Sequence, residues 1–136
     1  MIDSEGRMII YTDKAPEAIG PYSQAVRVGN MIFTAGQIGL DPATMEIVSG
    51  GIEAETRQVL TNLKEILKSA NSGMSNVIKT VVFLRDMADF PKMNNIYAQF
   101  FTENPPARST VEVAGLPKNV AVEIEAIALT GTDHGL

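Results

Sequence analysis

From Ile52 onward the apolar residues recur at three- and four-residue spacings, as Ile52, Val59, Leu60, Leu63, Ile66, Leu67 and Ala70, while Glu53, Glu55, Arg57, Lys64, Glu65 and Lys68 fall between them. That spacing predicts one long amphipathic helix, stopped near Asn71 and Gly73. Ahead of it the pattern is short and extended. Arg7 to Tyr11 is a strand candidate, an irregular loop containing Pro16, Gly20 and Pro21 follows, and Ala25–Val28 and Met31–Ala35 flank the pair Gly29-Asn30, which supplies the positive φ of a hairpin turn. After the helix, VIKTVVFL (Val77 to Leu84) is apolar on both faces apart from Lys79 and Thr80, as a central strand would be. Asp89, with Pro91 two positions on, predicts the N-cap of a second helix whose stripe is Phe90, Met93, Tyr97 and Phe100 or Phe101.

The last third of the chain holds two β-branched runs, Arg108 to Val113 and Val120 to Leu129, separated by Gly115, Pro117 and Asn119. Side chains alternate faces along a strand, so Arg108, Thr110 and Glu112 share one face of the first run. Ala121, Glu123, Glu125, Ile127 and Leu129 share one face of the second. The opposite faces, with Val111 and Val113 and then Val120, Val122, Ile124, Ala126 and Ala128, are apolar. A core wall that keeps a cation and carboxylates is either an ion-pair network or a site.

The order of elements is strands, helix, strand, helix, two strands. This is an α+β arrangement of a six-stranded sheet with a single layer of two helices. Two helices cover one face of such a sheet, yet Met31–Ala35 and Val77–Leu84 carry apolar groups on both. The uncovered face therefore predicts a homo-oligomer that closes sheet against sheet.

At 136 residues and 45% hydrophobic content, one domain over 1–136 is expected. The net charge of -5 opposes binding to a phosphate backbone, so nucleic acid is not an expected partner. No apolar stretch suits a membrane span or a secretion signal, and a cytoplasmic protein is expected. There is no cysteine, hence no disulfide, thiolate catalysis or thiolate metal site, and the single histidine, His134, lies in a polar terminal tail. No GxxxxGK or GxGxxG loop supports a nucleotide, and neither a cofactor nor a metal is expected. Ser23, Ser109 and Thr110 lack a histidine partner, which leaves water as the nucleophile of any hydrolysis.

Arg108 is the main candidate for chemistry, because its planar fork suits a carboxylate held bidentately. The competing reading is a salt bridge to Glu112, Glu123 or Glu125. Of Glu123 and Glu125, one reads by default as a solvated carboxylate and the other as a structural partner. By the same residue-level reasoning Tyr22 is a core aromatic, and Asn94 and Asn95 face solvent.

Four blocks then add a resemblance: IGPYSQAV (Ile19 to Val26), FTAGQIGLDP (Phe33 to Pro42), NNIYAQFF (Asn94 to Phe101) and PPARSTVEVAGLPKNVAVEIEAIA (Pro105 to Ala128). In that order, over nearly the whole chain, the sequence resembles the Rid family, the reactive intermediate deaminases also called RidA/YjgF. The resemblance implies a chorismate-mutase-like fold and a homotrimer, with sheets around a central barrel, helices outside and clefts between neighbouring subunits. It implies cofactor-free hydrolysis of 2-imino acids and their enamines, such as 2-aminoacrylate and 2-iminobutanoate, to 2-keto acids and ammonia. On the matching blocks it makes Arg108 the anchor of the substrate carboxylate and Glu123 the orienter and activator of water, with Tyr22 and Asn94 lining the cleft. Gly36 and Thr110 match positions whose backbone faces the ligand; many members have cysteine or alanine at the latter. Two rival functions remain, a keto-acid-binding regulatory module without turnover and a ribonuclease or translation inhibitor. The acidic charge and lack of a usable histidine count against the ribonuclease.

Overall fold

The structure is a computed structural model that describes residues 2 and 6–131; His134 lies outside the described residues. Its elements are β1 (Arg7–Ile10), β2 (Ala25–Val28), β3 (Met31–Thr34), α1 (Gly51–Ser69), β4 (Val77–Leu84), α2 (Phe90–Phe100), β5 (Ala107–Glu112) and β6 (Val122–Leu129), with three short 3-10 turns between them. The strands form one six-stranded mixed sheet in the order β1-β2-β3-β6-β4-β5. Only β4 and β5 pair in parallel, and α2 makes the crossover that a parallel pair requires.

The hairpin turns where Gly29 adopts φ 60° and leaves Val28 opposite Met31. The predicted stripe of α1 is buried throughout, with Val59, Leu60, Ile66 and Leu67 at zero exposure. Truncating one such leucine to alanine costs about 2–5 kcal/mol, so this stripe holds the helix to the sheet. Past the helix end at Ser69 the chain turns at Asn71, left-handed at φ 59°, and the Ser72 N–H returns to the Leu67 carbonyl at 2.9 Å. The expectation for α2 needs correction. Asp89 occupies the N-cap position but its side chain caps nothing; Asp86 does the capping one turn earlier, accepting the Ala88 N–H at 2.9 Å.

Register assigns the faces of the sheet. Val82 of β4 pairs with Ile124, Leu84 with Val122 and Thr80 with Ala126, and all are buried beneath the helices. On the other face lie Phe33, Val81, Phe83, Ile127 and Val111; Phe33 is 42% exposed and Val111 40%. Within one chain, then, β4 is covered on one side only, and the apolar face without helices is present as the pattern implied. On β5 Arg108 and Thr110 lie under α2, so the face that keeps the cation does line the core side, while the apolar Val111 lies on the open side. Alternation predicts that faces differ; the pairing of Arg108 with Thr80 decides which one the helix covers.

Candidate functional site

Glu123 lies between Val122 and Ile124, both fully buried, so alternation turns its carboxyl to the open face, where it pairs with Phe83. The chain after β3 runs beside it. Gln37 donates its N–H to the Ile124 carbonyl at 2.9 Å and accepts the Ile124 N–H at 3.1 Å, which brings Gly36 against the Glu123 side chain. A methyl group at Gly36 would lie 2.8 Å from the Glu123 carboxyl carbon, so any side chain there would have to push the carboxyl from its seat. A cleft of about 340 Å³ opens at this point, walled by Pro16, Ile19, Tyr22, Ile38, Leu40 and Pro117. Gln24 pins the loop that carries Tyr22: its amide donates to the carbonyls of Pro16 (2.8 Å) and Thr12 (3.0 Å) and its Oε1 accepts the Thr12 N–H (2.8 Å). The Tyr22 hydroxyl accepts from the Ile19 N–H at 3.3 Å. Burial among these walls, and secondarily the neighbouring Glu125, raise the Glu123 pKa above the ordinary carboxylate range. A carboxyl so placed can hold a proton and return it, as general acid–base chemistry demands.

Arg108 occupies a different cleft. Its guanidinium lies 4.8 Å from the centre of the Tyr97 ring and 5.3 Å from that of Phe90, and its Nη1 donates to Asn94 Oδ1 at 2.8 Å. Asn94 and Tyr97 stand one turn apart on α2 and so address the same strand. Tyr97 is fixed in turn by a 2.7 Å hydrogen bond between its hydroxyl and that of Thr80; burial raises its pKa against the opposing pull of that bond and of Arg108. The cleft, of about 390 Å³, is completed by Phe101, Pro105 and Pro106. Thr110 follows on the same face of β5, its Oγ1 buried without a hydrogen-bond partner among the described residues. The same holds for Arg108 and acids: no ion pair joins it to Glu112, Glu123 or Glu125, and Glu112 instead accepts the Met87 N–H at 2.7 Å. A half-buried cation held by ring faces and one amide retains the donors to grip a carboxylate.

The structure therefore divides the predicted site. Tyr22, Gly36 and Glu123 meet at the first cleft. Arg108 and Asn94 meet at the second, with Thr110 beside them on β5. Arg108 shares a face with Thr80 and Ala126, Glu123 with Phe83 and Val111, so the two charges project from opposite faces of one sheet. The single wall bearing both, read from the sequence, is corrected by this register, and with it the salt bridge between them. Two residue-level readings also change. Tyr22 is not a core aromatic but 49% exposed at the cleft, and Asn94 does not face solvent but holds Arg108. Sequence reasoning missed Gln24, Glu55 and Asn62, all buried and bonded to irregular backbone. A polar residue on an apolar helix stripe, as Asn62 is, was the available signal. Among the described residues no group of three or more His, Cys, Asp or Glu could hold a metal, and no helix is long and apolar enough to cross a membrane.

Comparison with known proteins matches residues 12–130 to the family described as Endoribonuclease L-PSP. A RutC family protein of Pyrococcus horikoshii is 57% identical over 120 residues, 88% of this chain and 95% of that protein. The human 2-iminobutanoate/2-iminopropanoate deaminase is 52% identical over 125 residues, 92% of this chain and 91% of the human protein. Among solved structures, RidA from the Antarctic bacterium Psychrobacter sp. PAMC 21119 superposes with a TM-score of 0.87 at 45% identity, covering 90% of this chain and 98% of that one. E. coli TdcF with bound serine also gives 0.87 at 45% identity, covering 91% and 99%.

Proposed function

The chain belongs to the Ribonuc_L-PSP family, the YjgF/RidA group, and on that premise we propose that it is a cofactor-independent deaminase of small 2-imino acids and their enamines. One observation carries the reading. The chain places a carboxyl whose pKa burial raises in one cleft, against Gly36 and beside Tyr22, and in another a guanidinium with no ion pair among the described residues, and a 2-imino acid needs both. Arg108, steadied by Asn94, holds the substrate carboxylate bidentately and so sets the imine carbon beside a water molecule. Glu123 protonates the imine nitrogen, orients the water and takes up its proton, assisted by Tyr22, while Gly36 and Thr110 turn their backbone toward the ligand. Water adds to C2, the carbinolamine forms, and the C–N bond breaks to release ammonia and the 2-keto acid. Glu123 passes the proton taken from water to the carbinolamine nitrogen, the hydroxyl gives up its own proton as the C–N bond breaks, and imino acid plus water becomes 2-keto acid plus ammonia.

Because Arg108 and Glu123 leave opposite faces of one sheet, the site is completed between copies: the Arg108 cleft of one subunit meets the Glu123 cleft of the next. The exposed Phe33 and Val111 face gives such a homotrimer its contact surface around a central barrel. Light scattering at micromolar concentration tests this, and a stable monomer overturns it. The activity is tested by generating the imine in situ with a threonine dehydratase and following keto-acid release with and without the protein. Acceleration above the solvent rate supports the deaminase. Saturable keto-acid binding without acceleration supports a ligand-sensing module, a reading favoured by the bound serine of the related TdcF structure. For the ribonuclease of the family description, the chain offers neither a basic surface, at net charge -5, nor a histidine among the described residues.

A further inference from the structure

Helix α1 buries three polar side chains, Glu55 at 8% exposure and Thr56 and Asn62 at zero; the Thr56 hydroxyl has no hydrogen-bond partner among the described residues, whereas Glu55 and Asn62 are bonded. The Asn62 amide donates to the carbonyls of Leu40 (3.0 Å) and Ile38 (3.3 Å), and its Oδ1 accepts from Gln58 Nε2 at 2.8 Å. The Glu55 Oε1 accepts the Ala121 N–H at 2.8 Å. These residues stand about two turns apart on the same side of the helix. Their partners flank the Glu123 cleft, one being the segment that follows Gly36 and the other the approach to β6, two positions before Glu123. The two segments are themselves joined by the reciprocal Gln37–Ile124 bonds. The contact is close as well as bonded, since a side chain at Gly39 would come within 3.1 Å of the Glu55 Cα. Burying a carboxyl and an amide is costly unless both are satisfied, and here each bonds to main chain that lines or adjoins the cleft.

We propose that Glu55 and Asn62 are positioning residues for Glu123, acting through the backbone: α1 is a two-point splint that fixes the distance between the 36–40 segment and the start of β6. That distance decides how closely the Glu123 carboxyl lies over Gly36, and with it how far water is excluded from the carboxyl. The inference about position stands on geometry alone; its kinetic consequence rests on the deaminase reading. The titratable groups around Glu123 are Glu125 on β6, whose charge acts on it, and Glu17 and the neutral Tyr22 on the loop, while Phe83 and the 35–40 segment bring none.

Three variants test the splint: Glu55→Ala, Glu55→Gln and Asn62→Ala. Glutamine keeps an acceptor for the Ala121 N–H and removes the carboxylate, so it separates the bond from any charge effect. In each, the carboxyl titration of Glu123 is followed by carbon-13 NMR, assigned with Glu123→Gln, alongside kcat and KM for imine generated in situ. Both alanine variants are expected to bring the Glu123 titration down toward the ordinary carboxylate range and to lower kcat about tenfold with KM within about twofold. Glu55→Gln is expected to match the parent in both. Folded alanine variants with an unchanged Glu123 titration overturn the proposal, as does a loss carried by KM. If Asn62→Ala does not fold, the two Glu55 variants decide alone. A parent protein that fails to accelerate hydrolysis, while the titration still moves in the alanine variants and not in Glu55→Gln, overturns the deaminase and leaves the splint standing.

Discussion

The Glu123 cleft and the Arg108 cleft hold opposite charges in opposite ways. Glu123 is enclosed by Pro16, Ile19, Ile38, Leu40 and Pro117, so its surroundings work against ionisation. Arg108 rests on the rings of Tyr97 and Phe90 and bonds to the neutral Asn94, so its surroundings accept the charge without cancelling it. A structural ion pair would have brought the two together; register keeps them on opposite faces. The contrast teaches that the lack of a counter-ion among the described residues, on both sides at once, is what distinguishes a candidate site from a salt bridge here. It also makes the two halves separately breakable.

The largest effect is expected at Glu123. Glu123→Gln removes the proton carrier and should lower kcat by about 10²–10⁴-fold. The same variant tests the environment. Because burial raises the folded pKa above an unfolded value near about 4.3, the native state is favoured by protonation, and the benefit declines as pH rises through the folded value. Glu123→Gln should therefore melt at or above the parent temperature at neutral pH, with the gap closing near about pH 4. A variant that melts below the parent at neutral pH would show that the ionised carboxylate stabilises the fold, contrary to the contrast drawn here.

Arg108→Ala follows, with an expected loss of about 2–5 kcal/mol, or about 30- to several-thousand-fold in kcat/KM. Arg108→Lys should also be damaging, since an ammonium keeps the charge and loses the fork. Both should melt within a few degrees of the parent, because no carboxylate is left unpaired. Near-full activity in Arg108→Lys, with loss of assembly in Arg108→Ala, would return Arg108 to a structural role. Gly36→Ala comes next. The added methyl must displace the Glu123 carboxyl, and a displacement of that size costs about 10–100-fold in kcat with little change in melting temperature. Parent-like turnover would mean that the carboxyl has no fixed seat. The smallest kinetic effect belongs to Tyr97→Phe, which keeps a ring beside Arg108 but strands the buried Thr80 hydroxyl. Stability should fall by about 1–3 kcal/mol while kcat/KM stays within about twofold. A kinetic loss as large as that of Arg108→Ala would make the hydroxyl, and not the ring, the support of the cation.

What could be read in advance follows the same division between local and distant causes. The α1 stripe and the alternation of Val122, Ile124, Ala126 and Ala128 were legible because period alone fixes which residues share a face. Period does not say which face is covered. Hence the pattern groups Val111 with Val113 as apolar without saying that this face lies open, and sets Arg108 and Glu123 on one wall although only Arg108 lies under α2. Glu55 falls among the polar positions of α1 and reads as solvated. Its burial depends on the Ala121 N–H, a partner 66 residues away that no local pattern announces. Asp89 carried an N-cap signal, but the chain enters α2 through a short turn that Asp86 caps instead. For the site, the blocks named Tyr22, Gly36, Asn94, Arg108, Thr110 and Glu123; their partition between two clefts required the register of β4 with β5 and β6.

That partition has a counterpart in time. The Arg108–Asn94 bond spans 14 residues within the single β4–α2–β5 unit, whereas the Glu55–Ala121 bond that flanks the other cleft spans 66. Closing the longer loop costs about 1.4 kcal/mol more chain entropy. The sequence distances thus order the search: the cation's seat forms from a contiguous stretch and the carboxyl's waits for two distant segments to find each other. During refolding, amide protection should rise in α2 and β5 before it rises at Gln37 and Ile124, so that a half-folded chain already carries the grip and lacks the acid.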